Sequence, residues 1–517
     1  MGAVRNLLFV MCDQLRYDYL SCMGHPSLGT PNIDALARRG VLFRNAFCTS
    51  PVCGPSRMSF YTGLYASTHG STWNGVPLPL DEVTLGDYLR PQGIRVALAG
   101  KTHFAPDLEG LKRLGLDPPD TLLLREGGFE PYDRYEGHVR PPDDAPYTRY
   151  LKARYPGDDP WSDFVVGAAG PCGERLDGWL IRNARLPARV AEADSETAYM
   201  TDRAMAFIRE QGAKPWCLHL SYIKPHWPYL APAPYHEMYA PETHLPFVRA
   251  PNELEGAHPV VAAYRRTDEG MSFARDEVAT NAKVAYMGLV KQIDDHIGRL
   301  MQFLEQDGRL ADTMIVFTSD HGDFLGDHWL GEKELFYEQS VLIPLIVVDP
   351  DPAADATRGK IDMRMVEGID LLPTFIEAAC GSVPGHVIEG CSLLPLLRGG
   401  NADWREAAFA EIDYGFRRAR QALCRKPRDC RGYIVRTGRW KYVEWPGFRP
   451  QLFDLDEDPE EYRDLGGDRG NAKVRGEMHD RLFEWMTSRN VRARLSDEEV
   501  EARTDTHRAR GIHIGIL

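Results

Sequence analysis

The sequence predicts an α/β fold: a mixed, mostly parallel sheet flanked by helices, then a small antiparallel sheet with one helix. Two observations predict the larger unit. Short apolar runs alternate with longer helical patterns through the first three quarters of the chain, the signature of a parallel sheet covered on both faces. Polar residues then cluster just after several of those runs, where open α/β sheets bind ligands. A third observation predicts the smaller unit. After Arg398-Gly399-Gly400-Asn401 the texture changes to short strands separated by turns, as an antiparallel sheet requires.

In chain order, the strand candidates are 7–11, 95–99, 216–220, 314–318 and 342–348, each a short run rich in apolar residues. Helical patterns cover 31–39, 196–210, 281–305 and 367–379. Asp13 follows the first strand, Lys101 and His103 the second, His226 the third, and Asp320 with His321 the fourth. The second unit reads as strands 433–436, 440–444 and 451–454 and an amphipathic helix 472–489. This divides the chain into residues 1–400 and 401–517. The tail 507–517 ends in Ile512, Ile514, Ile516 and Leu517, apolar enough to dock on this chain or on a neighbouring subunit.

Composition narrows the function. Across 517 residues, 61 Lys and Arg stand against 75 Asp and Glu, a formal charge of -14. Such a chain gains little from a nucleic-acid backbone, which is bound by basic patches. An anionic substrate would need a local cluster of cations. The opening apolar run Leu7-Leu8-Phe9-Val10-Met11 is too short for a signal-peptide core, and the run 341–348 is too short to span a bilayer. A cytoplasmic protein without a membrane segment is expected. The ten cysteines lack CxxC spacing, so they read as reduced and mostly buried.

Cys53 is the exception. Cys53-Gly54-Pro55-Ser56-Arg57 precedes the helical pattern Met58-Ser59-Phe60-Tyr61-Thr62. Pro55 suits a first helical turn, and a helix N-terminus favours an anionic nucleophile and an anionic substrate. The bland alternative is a buried cysteine ahead of a helix, and five residues alone leave both readings open.

The wider context resembles the sulfatase signature of the alkaline phosphatase superfamily. The resemblance runs from Thr30-Pro31-Asn32-Ile33-Asp34-Ala35-Leu36-Ala37 through Gly40-Val41-Leu42-Phe43 to Cys53–Arg57 and Thr62-Gly63. It continues to Glu367–Thr374, Gly390–Leu397 and Leu452–Glu461, segments of packing and connection. It implies an alkaline-phosphatase-like sheet and a Cys53 oxidised to formylglycine by a sulfatase-maturating enzyme. The hydrate would be the nucleophile: one oxygen attacks sulfur, and the other expels the product. Arg57 would anchor it. Gly54 stands where threonine or alanine is commoner, but glycine occurs there in phosphonate monoester hydrolases.

The resemblance also implies one divalent cation, held by Asp13, Gln14, the modified Cys53, Asp320 and His321. Two positions depart from the commoner pattern: Gln14 replaces an aspartate and His321 an asparagine. Similar variants resemble choline sulfatases and phosphonate monoester hydrolases. Imidazole suits Mn²⁺ better than Ca²⁺, so both metals stay open. Gly100-Lys101-Thr102-His103 resembles the sulfatase GKxH element, implying that Lys101 binds sulfate and His103 takes the proton that triggers its release. Lys224-Pro225-His226 and Gly331-Glu332-Lys333 imply that His226 and Lys333 face the leaving group, with Lys333 also on sulfate. Asn74 matches a pocket asparagine of phosphonate monoester hydrolases. His69, Asp34 and Asp370 read as structural, the last two as helix caps, and Lys224 and Lys291 as solvated.

The implied reaction is hydrolysis of small-molecule sulfate monoesters, arylsulfatase-like. A phosphonate monoester or phosphodiester hydrolase is the alternative, because the segment Pro232–Tyr239 resembles those enzymes; they typically carry Tyr and Thr where this chain has Lys101 and His103. A binding protein with unmodified Cys53 is the alternative from another class. Selectivity is assigned to 107–193 and 240–276. A homo-oligomer, dimer or tetramer, is expected by family likeness.

Overall fold

The computed structural model describes residues 4–116, 121–400, 403–489, 495–504, 506 and 509–511. Most of the apolar tail at 507–517 lies outside the described residues.

Eight strands form the main sheet: β1 (Asn6–Asp13), β2 (Val41–Phe47), β3 (Arg95–Gly100), β4 (Glu130–Arg134), β5 (Trp216–Pro225), β6 (Thr313–Ser319), β7 (Leu345–Val348) and β8 (Lys360–Glu367). Their order is β8-β2-β7-β6-β1-β5-β3-β4. All neighbours are parallel except β7, which runs antiparallel to β2 and β6. Alternation along β1 sends Leu7, Phe9 and Met11 into one apolar layer and Leu8, Val10 and Cys12 into the other. A fully buried side chain of the size of Phe9 contributes about 1.5–3 kcal/mol, so the register of this central strand is firmly set.

The second layer is covered by α1 (Pro31–Arg39), α3 (Glu196–Gln211) and the long α4 (Asp276–Gln306), and the first by α2 (Cys53–Thr62) and α5 (Leu371–Ala378). A four-stranded antiparallel sheet follows: β9 (Ala407–Asp413), β10 (Arg431–Thr437), β11 (Trp440–Glu444) and β12 (Gln451–Asp454). Against it packs α6 (Ala472–Thr487), burying Met478, Leu482 and Trp485.

Several expectations need correction. The helix read at 367–379 starts at Leu371, because β8 runs to Glu367 and a 3-10 turn occupies Gly368–Asp370. Asp370 is not its N-cap: its carboxylate completes a capping box on the 3-10 turn by accepting from the Glu367 amide, and it accepts also from the Cys391 amide and from Arg405. Asp34 caps nothing either and accepts from Ser21 Oγ. Lys224 is buried, not solvated, with Nζ 3.0 Å from the Pro228 carbonyl and 3.5 Å from Glu196. Lys291 pairs along its helix with Asp294 and Asp295. The cysteines are free, but Cys172, Cys380, Cys391 and Cys424 are exposed. Among the described residues, no helix is long and apolar enough to cross a membrane.

Candidate active site

Four adjacent parallel strands end at one crevice. Asp13 is the last residue of β1, Asp320 and His321 follow β6, His226 follows β5, and Lys101 follows β3. Because the strands are parallel and in register, their carboxyl ends deliver these side chains side by side. Across the crevice stands the N-terminus of α2, whose first residue is Cys53 and whose ten residues are all buried. The turn after β1 is tight: Gln14 has φ 65°, and its amide donates to Asp320 Oδ1 at 2.9 Å.

Potential ligand atoms of Asp13, Cys53, Asp320 and His321 lie within 4.8 Å of one another, all buried. His321 Nδ1–H donates to the Gly322 carbonyl at 2.8 Å, which turns Nε2 to within 3.1 Å of Cys53 Sγ. This second bond fixes ring orientation, as metal-ligating histidines require. Neither oxygen of the buried Asp13 accepts a hydrogen bond of good geometry. Two carboxylates, an imidazole and residue 53, with Asp13 Oδ1 buried and without a partner, fit a divalent cation.

Cations crowd the same pocket. Lys101 Nζ is 2.5 Å from Asp13 Oδ2, and Arg57 NH2 is 3.4 Å from it. Arg57 Nε donates to Asp320 Oδ2 at 2.8 Å, while its NH1 donates to the Lys101 carbonyl and to Ser221 Oγ, each at 2.8 Å. Lys333 Nζ donates to Gln14 Oε1 at 2.8 Å and lies 3.4 Å from His226 Nε2. Gln14 Nε2 in turn donates to Asp323 Oδ2, which also accepts from Tyr229 OH, both at 2.5 Å. Asn74 reaches the neighbour of Cys53, with Oδ1 accepting from Gly54 N at 2.7 Å. His69 bonds within the helix region, Nε2 to Ser59 Oγ at 3.1 Å.

These neighbours set the protonation states. Burial alone would push the Asp13 carboxyl up, but Lys101, then His226 and Arg57, hold it well below the usual range. Burial, reinforced by Lys101, drives His103 well below the ordinary imidazole value. His226 is depressed by burial and by Lys333 and Lys101, with Asp13 opposing. Burial lowers His321 too, but Asp320 and Cys53 outweigh it and raise the ring to about 9. His103 therefore offers a neutral ring, and its buried Nδ1 has no hydrogen-bond partner.

Sequence reading missed His138. Its ring centroid is 5.0 Å from that of His103 and 6.2 Å from that of His226, and Nδ1–H donates to the Glu136 carbonyl at 2.8 Å. Glu136 also accepts from the His103 amide at 3.1 Å, holding that residue at φ 55°. Both sit just after β4, within a segment read as irregular. The pattern of polar residues after a strand would have flagged them had β4 been seen. Sequence reading also gives no role to Asp323, two residues beyond His321, which the structure joins to Gln14 and Tyr229.

The family model described as Sulfatase matches residues 5–382, and that described as N-sulphoglucosamine sulphohydrolase, C-terminal, matches residues 326–488. The chain is 33% identical to the multifunctional alkaline phosphatase superfamily protein PehA of Trinickia caryophylli, over 94% of this chain and 95% of that one. It is 28% identical to an arylsulfatase of Clostridium perfringens, over 89% of this chain and 90% of that one. A phosphonate monoester hydrolase from Silicibacter pomeroyi superposes with a TM-score of 0.83 at 28% identity, covering 96% of this chain and 98% of that one. The site, the sheet that builds it and the match over most of its length show that the chain belongs to the sulfatase family.

Proposed function

We propose that the chain hydrolyses sulfate monoesters, with Cys53 converted to formylglycine as its nucleophile. The observation that carries this is the meeting of Cys53 with Asp13, Asp320 and His321 at a helix N-terminus, in a pocket that also holds Arg57, Lys101 and Lys333. A divalent cation there, Mn²⁺ or Ca²⁺, would neutralise oxygens of nucleophile and substrate, and the formylglycine hydrate would supply one oxygen to attack and one to expel the product. The protein's own side chains do the rest. Lys101 and Lys333 bind the ester's anionic oxygens and stabilise the charge that builds in the transition state. Arg57 holds Asp320 and residue 53 in register. His226 donates its Nδ1–H to the Trp227 carbonyl, so Nε2 faces Lys333; this pair supplies the proton that the leaving oxygen needs. His103, kept neutral by burial and Lys101, takes the proton whose loss releases sulfate.

A second reading is hydrolysis of phosphonate monoesters or phosphodiesters. The likeness to the S. pomeroyi enzyme favours it, as do Gly54 and Gln14. Lys101 and His103 favour the sulfatase reading. Side-by-side kcat/KM on an aryl sulfate and an aryl phosphonate decides: the aryl sulfate is expected to be the better substrate, and the reverse order hands the site to the second reading. Mass spectrometry of the peptide holding residue 53 tests the nucleophile. A thiol retained in protein from a host able to make the modification would support a binding protein instead.

A further inference from the structure

Lys333 sits on a stretch of chain that has little reason to hold its shape. Within ten residues, Leu325, His328, Trp329, Glu332 and Glu334 have φ of 47°, 53°, 61°, 65° and 90°. None of them is glycine, and L side chains in this region store backbone strain unless the surroundings over-determine it. Glu332 and Glu334 bracket Lys333 directly. On the Glu332 side the loop is pinned to its own chain, the Phe324 amide donating to the Glu332 carbonyl at 2.7 Å. On the Glu334 side the restraint comes from elsewhere.

The Glu334 carboxylate is buried, 4% exposed, and lies 2.7 Å from Arg417 Nε. Arg417 follows the 3-10 turn Tyr414–Phe416 that leaves β9, so its cation reaches the pocket's loop from the C-terminal sheet. Arg417 also faces Glu269 at 3.6 Å. Its neighbour Phe416 stacks on Trp73, centroids 5.6 Å apart and planes 6° from parallel, and Asn74 beside Trp73 holds Gly54 N. Asp413, at the end of β9, accepts from Thr72 Oγ1 at 3.1 Å and is anchored to Arg431 at 2.9 Å. One short segment of the C-terminal sheet thus braces the site from two sides.

We propose that Arg417 is a positioning residue for Lys333, acting through the buried carboxylate of Glu334. The ion pair fixes the strained backbone on one side of Lys333, so that its ammonium stays aimed at Gln14 and His226. Burial pushes the Glu334 carboxyl up to about 7, with Arg417 opposing, so the pair is tested at pH 8, where the carboxylate is ionised. The proposal rests on Lys333 acting in the pocket as described above.

The test is a double-mutant cycle on the full chain, with Cys53 conversion and metal content checked in every variant. Arg417→Gln is expected to lower kcat/KM about tenfold or more, chiefly through KM, and to change Lys333→Ala by less than about twofold, because the interaction it supports is already gone. Arg417→Lys is expected to restore most of the rate. Equal losses from Arg417→Gln in both backgrounds overturn the proposal, as does wild-type activity in Arg417→Gln. A second readout needs no substrate. In a pulse of acetic anhydride followed by peptide mass analysis, Lys333 is expected to be protected in the wild type and labelled in Arg417→Gln, with exposed Lys473 as the control. Unchanged labelling of Lys333 overturns the proposal whatever the rates. If the wild type turns over neither ester, the functional reading fails while the labelling still decides the brace. Should Arg417→Gln not fold, Glu334→Gln enters the same cycle and the same labelling, with the same outcomes required.

Discussion

At position 54 a side chain has nowhere to go: a Cβ there would stand 2.8 Å from Asn74 Oδ1 and 3.2 Å from Asn74 Cα. Asn74 must move away, and the Gly54 N–H that it satisfies is then left without its acceptor. An unpaired buried donor costs about 1–3 kcal/mol, spent here beside the nucleophile. Gly54→Ala is expected to cut kcat/KM about tenfold and to be no worse than Asn74→Ala when the two are combined; additive losses would mean that Asn74 is not the path of the effect. At Asp13, substitution by Asn removes charge from the proposed cation site. Bound divalent metal, measured by elemental analysis, is expected to fall well below one ion per chain; full occupancy would take Asp13 out of the ligand set. Asp13, Cys53, Asp320 and His321 could be singled out in sequence because each sits in a short motif at a strand end or helix start. His138 follows an edge strand whose apolar signal is weak, and the partners of both His138 and Tyr229 lie far away in sequence. Their roles come from packing between distant segments, which no local pattern records.

The elements that carry these residues depend on close approach between β3 and β5. Gly100 ends β3 at φ 113°, and a Cβ there would fall 1.9 Å from the Ser221 carbonyl oxygen on β5. That oxygen is backbone and cannot swing aside. Gly100→Ala therefore has to part the strands that hold Lys101 and Ser221, the second of which steadies Arg57. A loss of more than about 3 kcal/mol is expected, read as a lower urea midpoint; an unchanged midpoint would show that the pairing at this end is dispensable. Strands β1, β5, β6 and β7 are central, buried on both faces, and so are written as mostly apolar runs that sequence reveals. The edges hide. β4, Glu-Pro-Tyr-Asp-Arg, and β8, with Lys360, Asp362 and Arg364, lie at the two margins of the sheet, where Pro and charge block further pairing and erase the apolar signal. Arg44 and Asn45 interrupt β2 in the same way.

Across the whole molecule, buried titratable groups pull stability in opposite directions with pH. Burial depresses His25 and His258 to about 4, and His69 and His219 to about 3. Unfolding frees them to bind protons near 6.5, so their contribution is present above pH 6.5 and is lost as pH falls. Burial raises Asp323 to about 6, and Glu334 and Glu367 to about 7. These carboxyls hold protons in the folded state that they release on unfolding, so their contribution is present at low pH and is lost as pH rises toward 7. Between about pH 6 and 5 the two sets oppose each other, with His103 and His226, also depressed by burial, on the histidine side. As pH falls through about 4, the raised carboxyls become protonated in the unfolded state as well and drop out. His69 and His219 then act unopposed, and the depressed Asp13 and Asp327, whose contributions vanish as pH falls through their folded values, add to the loss. Urea midpoints measured with chelator present, so that metal loss does not contribute, are expected to fall less from pH 6 to 5, where the carboxyls oppose the histidines, than from 4.5 to 3.5. A steep, even decline starting at pH 6.5 would mean that Asp323, Glu334 and Glu367 are ionised in the folded chain.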